Sequence, residues 1–374
     1  MSLFLRTAVV AGLIALLSGP GLSLAEIRIG IVGPLSGPVA QYGDMQFSGA
    51  RMAIEQINAA GGIDGQPLVA IEADDACDPR KAVAAANKMV SQGVRFVVGH
   101  LCSSSTQPAS DIYEASGILM ITPASTNPEI TRRGYKLVFR TIGLDSMQGA
   151  VAARYLASLS PDKVAIIHDQ QQYGEGIARE VRTTLQSAGV DVPVFEGVAA
   201  GARDFSALIS RMQQAGISHV YYGGYHPELA LILRQSREAG FNAVFMGPEG
   251  VGNRDLNYTA GEAAEGLLLT LPPNFDERPR NQDLVKAFAE NNRDTSGPFV
   301  LPAFTAVQLI AEGVRRAGSD DPIAVAQALR SGEFDTPLGI LRFQENGDLT
   351  SFDFEVFRWH ADGTRTPVDQ ASNR

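Results

Sequence analysis

The sequence predicts an α/β fold made of two doubly wound lobes with parallel sheets. Short runs of β-branched and other apolar residues alternate with amphipathic stretches of helical period from Glu26 onward. This alternation is typical of βαβ units, in which helices cover both faces of a parallel sheet. A chain of 374 residues is long enough for two domains with separate cores, and no low-complexity linker divides it.

The first series of elements ends near Thr141. Gly61 and Gly62 end its first helix, because glycine is the residue most often found just past a helix C-terminus. Asp78 followed by Pro79 predicts the start of the second helix, since Asp is a preferred N-cap and Pro suits the first helical position. The predicted elements are strand 27–32, helix 43–60, strand 69–72, helix 79–91 and strands 95–99 and 117–121.

The second series shows the same alternation and ends in a segment of strand-like pattern. Residues 338–359 alternate between apolar and polar, and Glu345–Asp348 has the Asn-Gly sequence of a hairpin turn. The other predicted elements are helix 145–159, strand 163–168, helix 176–187, strand 192–195, helix 205–215, strand 219–223, helix 227–239, strand 243–246 and helices 282–291, 303–317 and 322–330.

The first 25 residues predict a secretory signal peptide. Arg6 precedes a ten-residue apolar run, and Ser23-Leu24-Ala25 supplies a small-x-small cleavage site before Glu26. The apolar run is too short to cross a bilayer, and no Cys follows the cleavage site to carry a lipid. We therefore expect a soluble protein that is exported to the periplasm and whose signal peptide is cleaved after Ala25.

Charge and cysteine content limit the possible partners. The formal net charge is −10, and an acidic chain without basic runs argues against binding of nucleic acid or of an anionic membrane. Cys77 and Cys102 are the two cysteines, and an even number in an oxidising compartment favours one disulfide. The alternative, a metal or redox site, lacks a CxxC motif, and among the histidines only His100 lies close to a Cys.

Two hydroxyl-rich segments, 99–113 and 122–126, follow neighbouring predicted strands. Hydroxyls and free N–H groups where a strand gives way to a helix suit an anion such as a carboxylate, so Ser103 and Thr126 are its candidate ligands. The alternative is that Ser and Thr simply cap a helix.

The second series ends its strands differently, with aromatic residues and Glu249. A carboxylate on one half and hydroxyls on the other suit an α-amino acid, whose ammonium Glu249 would take. Tyr42, Tyr173, Tyr225 and Phe299 could form the wall of an apolar side-chain pocket. The alternative is that these aromatic residues belong to the core and that Glu249 is a surface residue.

Signatures of enzymes and cofactors are weak or missing. The sequence has no GxSxG, GxxxxGK[ST] or HExxH motif, and Arg179 stands where a dinucleotide fingerprint needs its third glycine. Asp74, Asp75 and Asp78 could bind a hard cation, but Asp78 is better explained as an N-cap. We therefore expect no enzyme activity, no cofactor and no metal.

Seven long runs resemble the periplasmic leucine/isoleucine/valine-binding proteins of Gram-negative bacteria, the receptors of branched-chain amino-acid ABC importers. The resemblance implies a type I periplasmic binding protein fold with a ligand cleft between the lobes and three crossovers near 141–145, 269–273 and 344–351. It implies a first lobe of 26–144 and 272–352 and a second of 145–271 and 353–374. The runs are SGPVAQYGD (36–44), DDACDP (74–79), GHLCSSSTQPASDIYE (99–114), GILMITPAST (117–126), QQYGEG (171–176), VYYGGYHPE (220–228) and FMGPEG (245–250).

The same resemblance implies the residues of a binding site. Ser103 and Thr126, with the backbone of Ala124, would hold the ligand carboxylate, while Glu249, helped by the Ala124 backbone and Tyr225, would hold the ammonium. Cys77 would pair with Cys102. Ser125 stands where some relatives have Ala, which could admit a slightly more polar ligand. The side-chain pocket would consist of Tyr42, Cys102, Ala124, Ser125, Tyr173, Tyr225 and Phe299.

The expected partners follow from the family as well. They are a branched-chain L-amino acid and an inner-membrane ABC permease complex, and we expect the receptor itself to be a monomer. An amino-acid sensor of the same fold is the alternative, because a soluble sensor could dock on a separate receptor.

Overall fold

The computed structural model describes residues 26–368. The predicted signal peptide (1–25) and the last residues of the predicted second lobe (369–374) lie outside the described residues. The strands are β1 (Ile27–Gly33), β2 (Leu68–Asp74), β3 (Phe96–Gly99), β4 (Leu119–Thr122), β5 (Val138–Arg140), β6 (Val164–His168), β7 (Val194–Gly197), β8 (His219–Gly223), β9 (Val244–Gly247), β10 (Leu268–Leu271), β11 (Phe334–Thr336), β12 (Gly339–Leu341), β13 (Glu355–Trp359) and β14 (Arg365–Pro367).

The helices alternate with the strands, as the sequence predicts. Among the described residues, none of them combines the length and apolar character needed to cross a membrane. The helices are α1 (Ala40–Ala59), α2 (Pro79–Ser91), α3 (Ser103–Ala115), α4 (Asp145–Ser158), α5 (Gln172–Ser187), α6 (Ser206–Gln214), α7 (His226–Glu238), α8 (Asp255–Ala260), α9 (Gln282–Glu290), α10 (Val300–Ala317) and α11 (Pro322–Ser331).

Five parallel strands in the order β2-β1-β3-β4-β5 form the sheet of the first lobe. Alternate strand residues point to opposite faces of the sheet. Since consecutive residues of these strands are apolar, both faces are apolar. Ile31 packs in the core that α1 and α10 cover, where it joins Phe47 and Phe304. Val32, the next residue, packs in the core on the other face, with Met89 of α2.

Seven strands in the order β14-β13-β10-β9-β8-β6-β7 form the sheet of the second lobe. The five strands from β10 to β7 are parallel, whereas β13 runs antiparallel to β10 and β14 runs antiparallel to β13. The sheet is therefore mixed, which the expectation of parallel sheets did not include. The antiparallel strands come from the end of the chain, which enters this lobe without a crossover helix.

The chain passes between the two sheets three times: after β5, after β10 and before β13. The third passage occupies residues 351–354, because Thr350 still donates to the carbonyl of Arg342 (2.9 Å) in the first lobe and β13 begins at Glu355. Phe352 and Phe354 fill this passage, with ring centroids 5.2 Å apart. The predicted segment 344–351 instead contains the turn that pairs Phe343 with Leu349.

Most element boundaries agree with the predictions to within a few residues, and the exceptions share a cause. Helix α1 begins at Ala40 rather than at Gly43, and α5 begins at Gln172 rather than at Gly176; neither has a side-chain cap that would mark its start. Gly43 lies inside α1. This position requires glycine, because a Cβ there would be 1.6 Å from the carbonyl oxygen of Pro34. The unpredicted strands β5, β10, β11 and β14 contain only three or four residues each.

Candidate functional site

Six of the predicted site residues lie in one buried apolar cluster between the two lobes. The cluster contains residues that follow strands of both sheets. This is expected where the carboxyl ends of the strands in one sheet face those of the other. Its predicted members are Tyr42, Cys102, Ala124, Tyr173, Tyr225 and Phe299. The members that the sequence analysis missed are Val39, Leu101, Ile142 and Phe354.

Both lobes contribute aromatic rings to this cluster. Tyr42 and Phe299 come from the first lobe and meet edge to face, with ring centroids 5.4 Å apart. Tyr173 and Tyr225 come from the second lobe, with centroids 5.2 Å apart. Tyr42 and Tyr225 face each other across the lobes at 6.5 Å. The four rings pack together in a cluster between the lobes, separate from the core clusters of either sheet.

The start of α3 presents unpaired hydrogen-bond donors. Cys102 is the N-cap residue and its side chain is in a disulfide, so no side chain caps this helix. The N–H groups of Ser103 and Ser104 have no acceptor among the described residues, and the buried Ser103 hydroxyl has no partner there. The positive end of the helix dipole adds to these donors. Ser103 is therefore not a helix cap in this structure, which removes the alternative for that residue.

Thr126 presents further free donors on the segment after β4, which contacts the segment before α3 through the bond of Ser125 Oγ to the carbonyl of Leu101 (2.8 Å). Its hydroxyl is fully buried without a partner among the described residues, and its N–H likewise has no acceptor there. The carbonyl of Ala124 accepts no hydrogen bond within the described part of the chain. We call the free donors of Ser103, Ser104 and Thr126 the anion cradle, since buried donors are rarely left unpaired without a ligand.

The Ser125 hydroxyl is used elsewhere. It lies 2.8 Å from the carbonyl of Leu101, to which it donates, and 2.6 Å from the Thr106 hydroxyl. The Ser125 N–H donates to the Thr122 hydroxyl at 2.9 Å. Because both groups are satisfied within the first lobe, the expectation that this serine makes the pocket more polar stays a prediction with no free hydroxyl to support it.

Glu249 follows β9 and is a buried carboxyl group that pairs with no cationic side chain among residues 26–368. Its side chain is 1% exposed, and Oε2 has no hydrogen-bond partner among the described residues. Burial raises the pKa of Glu249 to about 7, against smaller lowering effects of the Gln148 and Tyr173 side chains. An ionised carboxylate in such a place is costly unless a cation pairs with it.

Asp145 is a second buried carboxyl group near the site, and the sequence analysis missed it. Its N–H donates to the carbonyl of Thr126 (2.9 Å), and neither carboxyl oxygen has a hydrogen-bond partner of good geometry among the described residues. Burial, and next the charge of Glu249, raise the pKa of Asp145 well above its usual range, against a smaller lowering effect of the Thr126 hydroxyl. An Asp in the first turn of a helix is common, so its sequence position carried no signal.

Gly250 connects two tyrosines of different lobes. Its N–H donates to Tyr173 Oη (3.1 Å) and its carbonyl accepts from Tyr42 Oη (2.9 Å). A Cβ at this position would lie 2.7 Å from the carbonyl oxygen of Gly224, so only glycine fits without a shift. Asn127 of the first lobe also donates to the carbonyl of Gln172 in the second lobe (2.9 Å).

The predicted disulfide between Cys77 and Cys102 is present, with Cα atoms 5.5 Å apart. It joins the loop after β2 to the start of α3 and so holds the anion cradle in place. Within residues 26–368, no group of three or more His, Cys, Asp or Glu side chains is arranged to hold a metal ion.

Two relatives match nearly the whole chain. The leucine-, isoleucine-, valine-, threonine- and alanine-binding protein of Pseudomonas aeruginosa is 60% identical over 343 residues, which cover 91% of this chain and 92% of that protein. The Leu/Ile/Val-binding protein of Escherichia coli K12 is 53% identical over 361 residues, covering 96% and 98%.

Solved structures agree with the fold, and a family model agrees with the relatives. A leucine-binding protein from Thermotoga maritima superimposes with a TM-score of 0.85 at 26% identity, covering 92% of this chain and 98% of that one. A substrate-binding protein of an ABC transporter from Desulfitobacterium hafniense, in complex with Leu, gives 0.77 at 27% identity, covering 92% and 100%. The model of the periplasmic binding protein family matches residues 26–364. The chain therefore belongs to the periplasmic binding protein family.

Proposed function

We propose that this protein is a periplasmic receptor that captures branched-chain L-amino acids between its lobes and delivers them to an ABC importer. The observation that carries the proposal is that a buried carboxyl group on one lobe and free hydrogen-bond donors on the other lie beside the same aromatic cluster. Within the described residues, Oε2 of the buried Glu249 on the second lobe has no hydrogen-bond partner, and the donors of the anion cradle on the first lobe have no acceptor. A free α-amino acid supplies both charges at once.

In this proposal each part of the ligand has its own partners. The carboxylate accepts from Ser103 and Thr126, and the ammonium donates to Glu249 and to the free carbonyl of Ala124, with Tyr225 beside them. The apolar side chain lies among the rings and against Cys102, and burial of a leucine side chain contributes about 2–3 kcal/mol. Ser125 contributes backbone and Cβ surface only, because its hydroxyl donates to Leu101.

The proposed mechanism is hinge closure. The lobes would comprise 26–144 with 272–352 and 145–271 with 353–374, and the three connecting segments would bend. A ligand that contacts both lobes only when they meet shifts the population toward the closed form, which the permease would recognise. The Tyr42 hydrogen bond to Gly250 supports this scheme because it also joins the two lobes.

The names of the relatives set the candidate ligands to be compared. The Pseudomonas aeruginosa relative is named for binding threonine and alanine as well as leucine, isoleucine and valine. We propose leucine, isoleucine and valine as the ligands of this protein, because the wall of the site is aromatic. The Ser125 hydroxyl donates to Leu101 and so is not available to bind a polar ligand side chain. A role without catalysis fits the site, since it offers paired charges but no nucleophile beside a base.

A thermal-shift screen of the twenty amino acids on refolded, ligand-free protein tests the proposal. Leucine, isoleucine and valine are expected to raise the unfolding midpoint, because a ligand that binds only the folded state stabilises it by mass action. A screen in which none of the three raises the midpoint would contradict the proposal. D-leucine serves as a control, because it carries the same groups in the wrong arrangement.

Export and oligomeric state are separate parts of the proposal. Cleavage after Ala25 would leave Glu26 as the first residue, which mass spectrometry of protein recovered from the periplasm would detect. A monomer would elute from a size-exclusion column, with light scattering, at the mass of one mature chain.

A further inference from the structure

A chain of three hydrogen-bonded side chains lies buried behind the anion cradle. His100 Nδ1 is 2.6 Å from Asp75 Oδ2, and His100 Nε2 is 3.0 Å from Tyr113 Oη. All three side chains are fully buried. Both contacts are satisfied when Nδ1 donates to Asp75 and Nε2 accepts. Burial raises the pKa of Tyr113, so its phenol keeps its proton and donates to Nε2.

Full burial separates this arrangement from a catalytic one. An acid, an imidazole and a hydroxyl in a line are typical of general-base catalysis, but the base must reach a proton of the substrate. Both ring nitrogens of His100 are already occupied, by Asp75 and by Tyr113. The arrangement therefore fixes the position of His100 rather than moving a proton to a ligand.

The carbonyl of His100 connects this chain to the segment that carries Thr126. It accepts from the Thr122 hydroxyl at 2.7 Å. The same hydroxyl oxygen accepts from the N–H of Ser125 (2.9 Å) and from the N–H of Ala124 (3.3 Å). Because Thr122 donates its single hydroxyl proton to the His100 carbonyl, the position of that carbonyl orients the hydroxyl that accepts from Ala124 and Ser125, just before Thr126.

The imidazole of His100 connects the same chain to the other half of the cradle. Tyr113 lies in α3, the helix that begins with Ser103. The second oxygen of Asp75 accepts from the N–H of Cys77 at 2.9 Å, so the network runs parallel to the disulfide. His100 is thus bonded through its ring and its carbonyl to both segments that carry free donors.

We infer that His100 is a positioning residue of the carboxylate site, which sets the distance between the donors of Ser103 and those of Thr126 through its bonds to Asp75, Tyr113 and Thr122. The inference rests on the proposed function and extends it to a residue that touches no ligand. A cradle with two fixed halves favours a ligand that carries a carboxylate over one that carries a neutral amide.

The test compares leucine with leucinamide, which keeps the ammonium and the side chain but has no carboxylate. Affinities are measured by calorimetry, with competition for the weaker ligand, on wild type, His100→Asn and Tyr113→Phe. Each variant is expected to weaken leucine binding by about tenfold, the loss typical of one hydrogen bond to a charged group, and to change leucinamide binding by less than about threefold. The preference for leucine over leucinamide would therefore fall.

Asn58→Ala is the matched control. Asn58 makes two hydrogen bonds to Leu68, both 2.8 Å, at the opposite end of the first-lobe sheet. Its loss is expected to lower the unfolding midpoint while leaving the preference for leucine unchanged. This separates a loss of general stability from a change in the cradle.

Two results would overturn the inference. One is an equal loss of affinity for leucine and leucinamide in the variants, and the other is leucine binding within about threefold of wild type in both. Tyr113→Phe decides the test if His100→Asn does not fold, because it removes only a hydroxyl. Failure of the wild-type protein to bind any amino acid would instead contradict the proposed function.

Discussion

Tyr42 Oη donates a 2.9 Å hydrogen bond to the carbonyl of Gly250, and this bond links the two lobes directly beside Glu249. The two residues lie 208 positions apart in the chain. Tyr42 also belongs to the aromatic cluster, so the proposed binding surface and the contact between lobes share a residue.

Tyr42→Phe is expected to weaken leucine binding by about 1–2 kcal/mol, or about five- to thirtyfold, because the Gly250 carbonyl loses its donor in the closed form. The unfolding midpoint of the ligand-free protein should change little by comparison. Calorimetric titration measures the affinity. Tyr258→Phe is the control, since Tyr258 is 88% exposed and a hydroxyl in water contributes little. Equal effects of the two substitutions would contradict the role of Tyr42.

Glu249→Gln is expected to cost about 2–5 kcal/mol of binding free energy, because the ammonium of the ligand would be buried without its counter-charge. The size of the side chain hardly changes, so the loss reports charge rather than shape. Calorimetry with leucine measures it. The exposed Glu262 offers a control on the same lobe. Leucine affinity within about threefold of wild type would rule out Glu249 as the ammonium ligand.

The pKa of Glu249 predicts a pH dependence with a definite sign. Burial raises it from the ordinary value of 4.5 to about 7, so below pH 7 the free receptor holds a proton that an ammonium ligand must displace. Leucine affinity should therefore fall as the pH is lowered from 7, by up to about tenfold per unit. Titrations at pH 6 in buffers of different ionisation enthalpy should show proton release, and Glu249→Gln should show none. Proton uptake by the wild-type protein would contradict this.

The same group should affect the stability of the ligand-free protein in the opposite direction. A carboxyl group with a raised folded-state pKa stabilises the fold fully below its unfolded pKa, and this contribution of about 3 kcal/mol is lost as the pH rises from 4.5 to about 7. Asp169, whose pKa burial also raises to about 7, acts in the same sense. The difference in unfolding free energy between wild type and Glu249→Gln across this range isolates Glu249.

Ser103→Ala tests the anion cradle. The hydroxyl is buried and unpaired within the described chain, so its removal should leave the free protein as stable as before. Leucine affinity should fall by about tenfold or more, the loss expected for a hydrogen bond to a charged group. Ser104→Ala, in the same helical turn, keeps the backbone donors and removes only a partly exposed hydroxyl. Similar affinities for both variants would place the carboxylate elsewhere.

Asp348→Asn tests how the segment behind the cradle is held. Arg140 Nε lies 2.7 Å from Asp348 Oδ1 in the interior, and the same guanidinium donates to the carbonyl of Ser125 at 2.7 Å. Removing the Asp348 charge leaves a buried cation unpaired, which should cost about 3–5 kcal/mol of unfolding free energy. Asp335→Asn breaks an exposed pair with Arg280 and should cost about 1 kcal/mol or less. Urea unfolding compares the two.

Much of the fold and part of the candidate site could be predicted because their signals are local. The Asp78-Pro79 pair marked the start of α2 as the structure has it, and β8 has the predicted bounds. Strands β5 and β10 escaped because three or four residues carry too little periodicity to be recognised. Asp145 escaped because an acid in a first helical turn is ordinary, and only burial beside Glu249 makes it unusual.

Local pattern was sufficient for the alternation of strands and helices, the pair of cysteines and the position of hydroxyls at strand ends, since each depends on neighbouring residues. Tertiary packing alone decided which hydroxyls remain free. Ser103 and Ser125 look alike in the sequence, yet the Ser125 hydroxyl donates to Leu101 and the Ser103 hydroxyl has no partner among the described residues. Packing also brought Tyr42 to Gly250, because a hydrogen bond between distant segments depends on how the lobes meet.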